Sequence, residues 1–376
     1  MVERLKHMLK KEFIQIFRDP RMRAVIFVVP VVQVMIFGYA VTTDVRNIRT
    51  GVLDLDNSVQ SRELLDRFSG SGYFDLVLRL DGEQDLREAL DRGDVKAVLR
   101  MNHGFGEDLE SGGTATLQVI VDGTDSNTAS YVLGYTTKIA GAYGERLLVK
   151  RIERQTGLRP GAAPVSLVTR AWFNPNLESR NFFVPGVIAL LVMVISILLS
   201  SMAVVREKEI GTIEQIMVTP IGRLEFILGK TIPFALIGFV DVILISVIAV
   251  FWFDIPIMGN PFLLLFSTGL YLMSTLGVGL FISTVSRTQQ QAMMTAFFFM
   301  QPAILLSGFI YPIANMPVVI QWLTYLNPLR YFLVIIRGVF LKGVGFDVLW
   351  PQMAALFVLG GALLLTASSR FRKTLS

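Results

Sequence analysis

The sequence predicts a polytopic α-helical membrane protein of six spans, with an α/β domain inserted between the first and second. Three observations carry this. Of the 376 residues, 52% are hydrophobic and only 17% are charged, against about 25% charged in soluble domains; mean hydropathy is +0.55. Six stretches are apolar over about the 20 residues that a bilayer crossing needs. The long segment 42–180 is instead polar, with nearly balanced charge, and alternates strand-type runs with helical patterns.

The first 18 residues place Leu5, Met8, Leu9, Phe13, Ile16 and Phe17 at helical spacing, with lysines and acids on the other face. This predicts an amphipathic helix lying on the membrane surface, which Asp19-Pro20 breaks before the first span. It serves either as an anchor or as an elbow that a soluble partner pushes against. The predicted spans are 24–41, 182–205, 226–253, 261–285, 292–311 and 346–369. Gly38-Tyr39-Ala40 also fits a signal-peptide cleavage site. The long charged region before the first span and the five spans after it favour an uncleaved anchor.

Basic residues set the orientation. Arg4, Lys6, Lys10, Lys11, Arg18, Arg21 and Arg23 outnumber Glu3, Glu12 and Asp19 ahead of the first span, so that end is expected in the cytoplasm. Six crossings return the C-terminal tail 370–376 to the same side, in agreement with Arg370, Arg372 and Lys373. The 42–180 domain and the 312–345 connection are then outside. Arg330, Arg337 and Lys342 in that connection run against the rule.

Within 42–180, strands are expected at 50–56, 73–80, 95–101 and 115–123, and helices at 58–68, 82–90 and 128–155. Asp54, Asp56, Asp122 and Asp125 could be taken for a cation site, but aspartates at strand ends and turns serve the backbone on their own account. The net charge of +5 suits loops facing anionic lipid better than a nucleic-acid surface. The chain has no cysteine, which excludes disulfides, thiolate metal sites and cysteine nucleophiles. His7 and His103 lie far apart, and no nucleophile–base pair can be assembled.

The loop 206–225 between the second and third spans ends near Gly229-Lys230-Thr231, the last letters of a phosphate-binding loop. The first glycine of that motif would fall at Leu224, no buried strand precedes it, and a membrane span follows. Nucleotide binding is therefore rejected, and Lys230 is expected to anchor the interfacial end of a span. Arg206, Glu207, Lys208, Glu209 and Glu214 continue the second span into water as a helix, and Gly211 permits a bend. The apolar Ile213, Ile216, Met217 and Val218 that follow suit docking of a soluble motor better than a plain solvated loop. Asp241 is the acid well inside a predicted span. Structural pairing, a substrate or packing role and proton coupling are all open to it.

The quoted segments KEFIQIFRDPR (11–21), DGTDSNTA (122–129), FNPNLESRNFFVPG (173–186), REKEIGTIEQIMVTPI (206–221), SGFIYPIANMP (307–317) and YLNPLRYF (325–332) occur in order, at matching topological places. With them, nearly the whole chain resembles ABC-2 type export permeases with a large outer domain. The resemblance implies an inner-membrane permease of bacterial origin, whose 206–222 loop and elbow residues Glu12, Phe13, Arg18 and Asp19 receive a separate ABC ATPase. ATP and Mg would sit on that partner, and this chain would bind no cofactor. It also implies a dimer with an identical or closely related permease, and a periplasmic adaptor on the outer domain. The path between permeases would be lined by Asn181, Phe182, Phe183, Phe297, Phe298, Phe299, Met300 and Gln301, which suit hydrophobic, drug-like cargo. Segment 312–345 resembles the family's re-entrant helices. The competing expectations are a receptor or scaffold with a ligand-binding outer domain, and an ion-coupled transporter using Asp241.

Overall fold

The computed structural model describes residues 2–40, 47–157, 172–174, 178–211 and 222–370. The chain divides into two compact units, one made of Met1–Thr42 with Arg170–Ser376, the other of Thr43–Thr169.

The first unit is helical. Helix α1 (Val2–Arg18) is followed by α2 (Pro20–Arg23), a π-helical turn (Ala24–Val28) and α3 (Val29–Ala40). After the inserted unit, which contributes α4 to α7, come α8 (Ser179–Ile210), α9 (Arg223–Phe251), α10 (Pro261–Val285) and α11 (Gln289–Leu305). The short α12 (Val318–Thr324), α13 (Pro328–Arg337), a second π-helical turn (Gly338–Lys342) and α14 (Phe346–Arg370) complete it. With 32 residues, α8 is about 48 Å long at helical rise. It is buried on nearly every side, against α3, α9, α10, α11 and α13.

Small residues set the closeness of these helices. A Cβ at Gly279 of α10 would meet Ser200 Oγ of α8 at 1.8 Å, and one at Gly238 of α9 would meet Leu272 of α10 at 2.6 Å. Such contacts are how helices associate where lipid removes the hydrophobic drive. The hydroxyl of Tyr271 donates to the Ala189 carbonyl at 3.2 Å, while its ring stacks on Phe332 at 4.2 Å.

Among the described residues four helices are long and apolar enough to cross a membrane: Ser179–Ile210, Glu225–Phe251, Pro261–Val285 and Phe346–Ser369. The pair Val318–Thr324 and Pro328–Lys342, bent by 79°, passes the same test as a unit. Two of the six predicted spans are shorter than expected. The first reduces to the apolar helix Ala24–Tyr39. The fifth ends at Leu305 instead of 311, because Pro302 lies in its last turn and Gly308, at φ +82°, turns the chain away.

The inserted unit has a four-stranded sheet in the order β2-β1-β3-β4, formed by β1 (Ile48–Asp54), β2 (Phe74–Arg79), β3 (Ala97–Met101) and β4 (Leu117–Val121). β1 runs parallel to β2 and β3, and β4 is antiparallel to β3. Helices α4 (Val59–Ser69) and α5 (Glu83–Asp91) make the two parallel crossovers; α6 (Phe105–Ser111) and the long α7 (Ser126–Thr156) follow. The period-two pattern of the strands sorts the core. Ile48, Val52, Ala97, Leu99 and Met101 cluster with Leu64, Phe68 and Val132, while Leu53 and Val98 cluster with Leu86 and Ala89.

The four aspartates weighed as a cation site, Asp54, Asp56, Asp122 and Asp125, serve turns. Asp54 accepts from the Asp56 and Asn57 amides and from Ser61 Oγ at 3.1, 2.9 and 2.7 Å. Asp56 accepts from the Gly104 and Gly106 amides at 2.8 Å each. Asp122 binds Thr124, and Asp125 binds Thr128, each through a hydroxyl at 2.6 Å.

Candidate functional site

The stripe that α1 turns inward holds Met8, Glu12 and Ile16, all buried and four residues apart. A carboxylate in such a stripe needs a cation, and α9 supplies one. Gly229 lets α1 approach: a Cβ there would lie 2.5 Å from Met8 Sδ. The next residue, Lys230, is only 2% exposed. Its ammonium stands 2.7 Å from Glu12 Oε1 and 2.8 Å from Glu207 Oε1 at the end of α8. Lys11, half exposed, reaches Glu207 at 2.9 Å from outside. Two carboxylates and two ammonium groups thus join α1, α8 and α9.

This corrects two expectations. Lys230 does not extend into solvent at the start of its helix; it is enclosed between carboxylates. Glu207 is 3% exposed, so it offers no surface for a partner to touch. The two residues beyond it also turn to the bundle. Lys208 Nζ donates to the Ser283, Thr284 and Ser286 carbonyls at 3.4, 3.1 and 3.4 Å, capping the C-terminal end of α10. Ser283 Oγ in turn accepts from the Val204 and Val205 amides at 3.1 Å each. Glu209 accepts from the amide and side chain of Gln289, where α11 begins, at 3.3 and 2.7 Å. The acidic and basic letters after Arg206 therefore each hold a different neighbour.

Gly211 ends α8 in the left-handed conformation, at φ +80°, and donates to the Lys208 carbonyl at 3.2 Å. Thr212 and Glu214 lie outside the described residues, as does all of 212–221. At Gly222 the amide donates to Glu225 Oε2 at 2.6 Å, opening α9. Arg206 lines a cleft of about 670 Å³ with Glu12, Asp19, Met202, Lys230 and Met293. Phe13 stacks on Phe17 at 6.2 Å, Arg18 is exposed and Asp19 is half-buried.

The residues expected on the path divide. Phe297, Phe298, Phe299 and Gln301 are exposed on α11, whereas Met300 is buried in the interior at 5% exposure and does not line an outer face. Asn181 donates to Asn174 Oδ1 at 3.1 Å. Phe182 is exposed beside the half-buried Phe183, the rings meeting edge to face at 5.3 Å. Asp241 is wholly buried on α9, and neither carboxylate oxygen has a hydrogen-bond partner among the described residues.

Sequence reasoning missed the Glu12–Lys230–Glu207 contact. The one trace of it in the sequence is Glu12, an acid in an otherwise apolar stripe, which does not name its partners.

A profile of ABC-2 family transporter proteins matches residues 20–369. The chain is 34% identical over 373 residues to the probable multidrug ABC transporter permease YbhR of Escherichia coli K12, with 99% of each chain covered. It is 35% identical over 345 residues to the probable multidrug ABC transporter permease YbhS of the same organism, covering 90% of this chain and 89% of the relative. The inner membrane transport permease YhhJ, also of Escherichia coli K12, is 29% identical over 327 residues, covering 86% and 85%. With its apolar helices, the chain is an integral membrane protein; it belongs to the ABC-2 family of transporter proteins, as a permease of an ABC transporter rather than an enzyme.

Proposed function

We propose that this chain is the membrane half of an ATP-driven exporter of hydrophobic or amphiphilic, drug-like compounds. A separate ABC ATPase, carrying ATP and Mg, docks on the 206–222 loop and on α1. The single observation that supports this best is the buried contact among Glu12, Lys230 and Glu207. It fastens the elbow helix to both helices that flank the loop. A push on either surface then moves α1, α8 and α9 together.

In this proposal Glu207 acts through Lys230 and not by touching the ATPase. Gly211, Thr212, Glu214, Phe13, Arg18 and Asp19 make the contacts. Two permeases pair across the exposed Phe297, Phe298 and Phe299 of α11, which, with Asn181, Phe182, Phe183 and Gln301, give cargo an apolar and aromatic surface. Six crossings of the bacterial inner membrane put both termini in the cytoplasm and the 42–180 domain outside, where a periplasmic adaptor engages it. The short helices Ala24–Tyr39 and Gln289–Leu305 then cross as the first and fifth spans. The relatives named multidrug permeases support the cargo class.

The test is co-expression with the ATPase and reconstitution in vesicles. Lys230→Met is expected to insert and to hold the ATPase while losing cargo-stimulated hydrolysis. Wild-type stimulation in that variant contradicts the proposal. Asp241, buried and without a hydrogen-bond partner among the described residues, favours a second reading, ion-coupled transport. Asp241→Asn separates the two: loss of transport with ATPase stimulation intact supports ion coupling.

A further inference from the structure

Arg337 stands in the last turn of α13, packed against the start of α8. Its Nε and Nη2 are buried and have no hydrogen-bond acceptor among the described residues. The guanidinium carbon lies 3.7 Å from the centroid of the Phe182 ring. Gly186, one turn further along α8, makes the space: a Cβ there would lie 3.3 Å from Arg337 Nη2 and 2.5 Å from the Phe309 ring. Phe183 closes the same wall, edge-on to Phe309 at 5.9 Å. The neighbouring cations are occupied. Arg180 pairs with Glu178 at 2.7 Å, Arg330 is bonded to Thr324 and stacked on Tyr325 at 4.0 Å, and Lys342 lies 6.0 Å from the Phe173 ring.

A guanidinium carries five N–H donors in one plane. The Phe182 ring stabilises its charge but offers no acceptor to the Nε and Nη2 donors. Donors left so, beside apolar side chains, are costly and mark a place where a ligand can bind. The matching group is a pair of anionic oxygens, which the planar fork takes two at a time. Phe182 is 41% exposed and Arg337 half-buried, so the guanidinium borders the surface of the chain. The aromatic wall beside it suits an apolar tail.

We propose that Arg337, with Phe182 over it and Gly186 behind it, binds the anionic head group, phosphate or carboxylate, of an amphiphile. The amphiphile is either a membrane lipid or the transported compound; the second case rests on the exporter proposal above.

The test is native mass spectrometry of the full chain in mild detergent, titrated with phosphatidylglycerol against phosphatidylcholine and with dodecyl phosphate against dodecylphosphocholine. The wild type is expected to prefer the anionic member by about tenfold, the order of one charge-assisted bidentate contact. Arg337→Gln is expected to lose the preference, and Arg337→Lys to keep part of it. Absence of any preference in the wild type overturns the proposal even if no variant folds, and so does an equal preference in Arg337→Gln. Vesicle export separates the sources. Dodecyl phosphate that displaces phosphatidylglycerol and is exported with ATP marks a cargo site; displacement without export marks a lipid site. If no compound is exported while the preference stands, the exporter proposal fails and this one survives.

Discussion

At one end of α8, Glu207 meets Lys230 at 2.8 Å and Lys11 at 2.9 Å. At the other end, Arg337 lies over Phe182 with two buried nitrogens that have no acceptor among the described residues. Both places put charge inside an apolar bundle, and both are opened by a glycine, Gly229 or Gly186, whose Cβ would strike a neighbour. The difference is charge balance. A network whose charges balance holds its helices in one arrangement and leaves nothing for a ligand. A lone cation leaves valences that a ligand can fill. The first behaves as a joint, the second as a binding place, and each can be broken in a way the other cannot.

The largest effect is expected from Lys230→Met. It leaves Glu12 and Glu207 buried without their shared cation, which costs about 3–5 kcal/mol, the usual loss when one partner of a buried pair is removed. Thermal unfolding in detergent measures it. A triple change to Glu12→Leu, Lys230→Met and Glu207→Met is expected to recover most of that loss, because no charge is then stranded.

Next is Gly229→Ala. Its Cβ would stand 2.5 Å from Met8 Sδ, so Met8 must repack or α1 must shift, at about 1–3 kcal/mol for overpacking. Adding Met8→Ala removes the obstacle and should restore the seating of α1, read by protease protection of residues 2–18. Lys208→Gln is smaller. It removes a cation from the carbonyl end of α10, worth about 0.3–1 kcal/mol. Arg337→Gln should change stability least at its own end of α8, within about 1 kcal/mol, since no pair is broken. A loss as large as that of Lys230→Met would show that the two ends are alike.

A separate prediction concerns pH in the inserted unit. The Thr124 hydroxyl and amide and the Lys96 ammonium hold Asp122 down at about 2, from a usual 3.8. The folded value is the lower one, so this contribution is complete above pH 3.8 and is lost as pH falls toward about 2. Protection of the Thr124 amide, taken as its exchange rate relative to the intrinsic rate at each pH, should fall across that window, and Asp122→Asn should abolish that change.

Much of the fold was legible because periodicity is local. The strand runs expected at 50–56, 73–80, 95–101 and 115–123 meet strands at 48–54, 74–79, 97–101 and 117–121. Ser58 caps α4 by accepting from the Ser61 amide, as its place before the helix suggests. Helix α6 was not foreseen; seven residues between two glycines give too little pattern. The short fifth helix was misjudged because apolar residues continue past Gly308, and composition does not register a turn. The joint was hidden for a different reason. Arg206 to Glu209 has the composition of a solvated run, and the partners of Glu207 lie 23 and 196 residues away. No local pattern marks such a pairing. Arg337 was visible as a cation on the wrong side of the charge rule, but its lack of an acceptor could be seen only in three dimensions.

The central claim is that Glu12 and Lys230 act as one joint. The most direct measurement is a double-mutant cycle on cargo-stimulated ATP hydrolysis, using Glu12→Gln, Lys230→Met and both together in vesicles that contain the ATPase. The account predicts that each single change lowers stimulation and that the double change lowers it no further than Lys230→Met alone. Full stimulation in both single variants, with insertion and ATPase assembly intact, would contradict it.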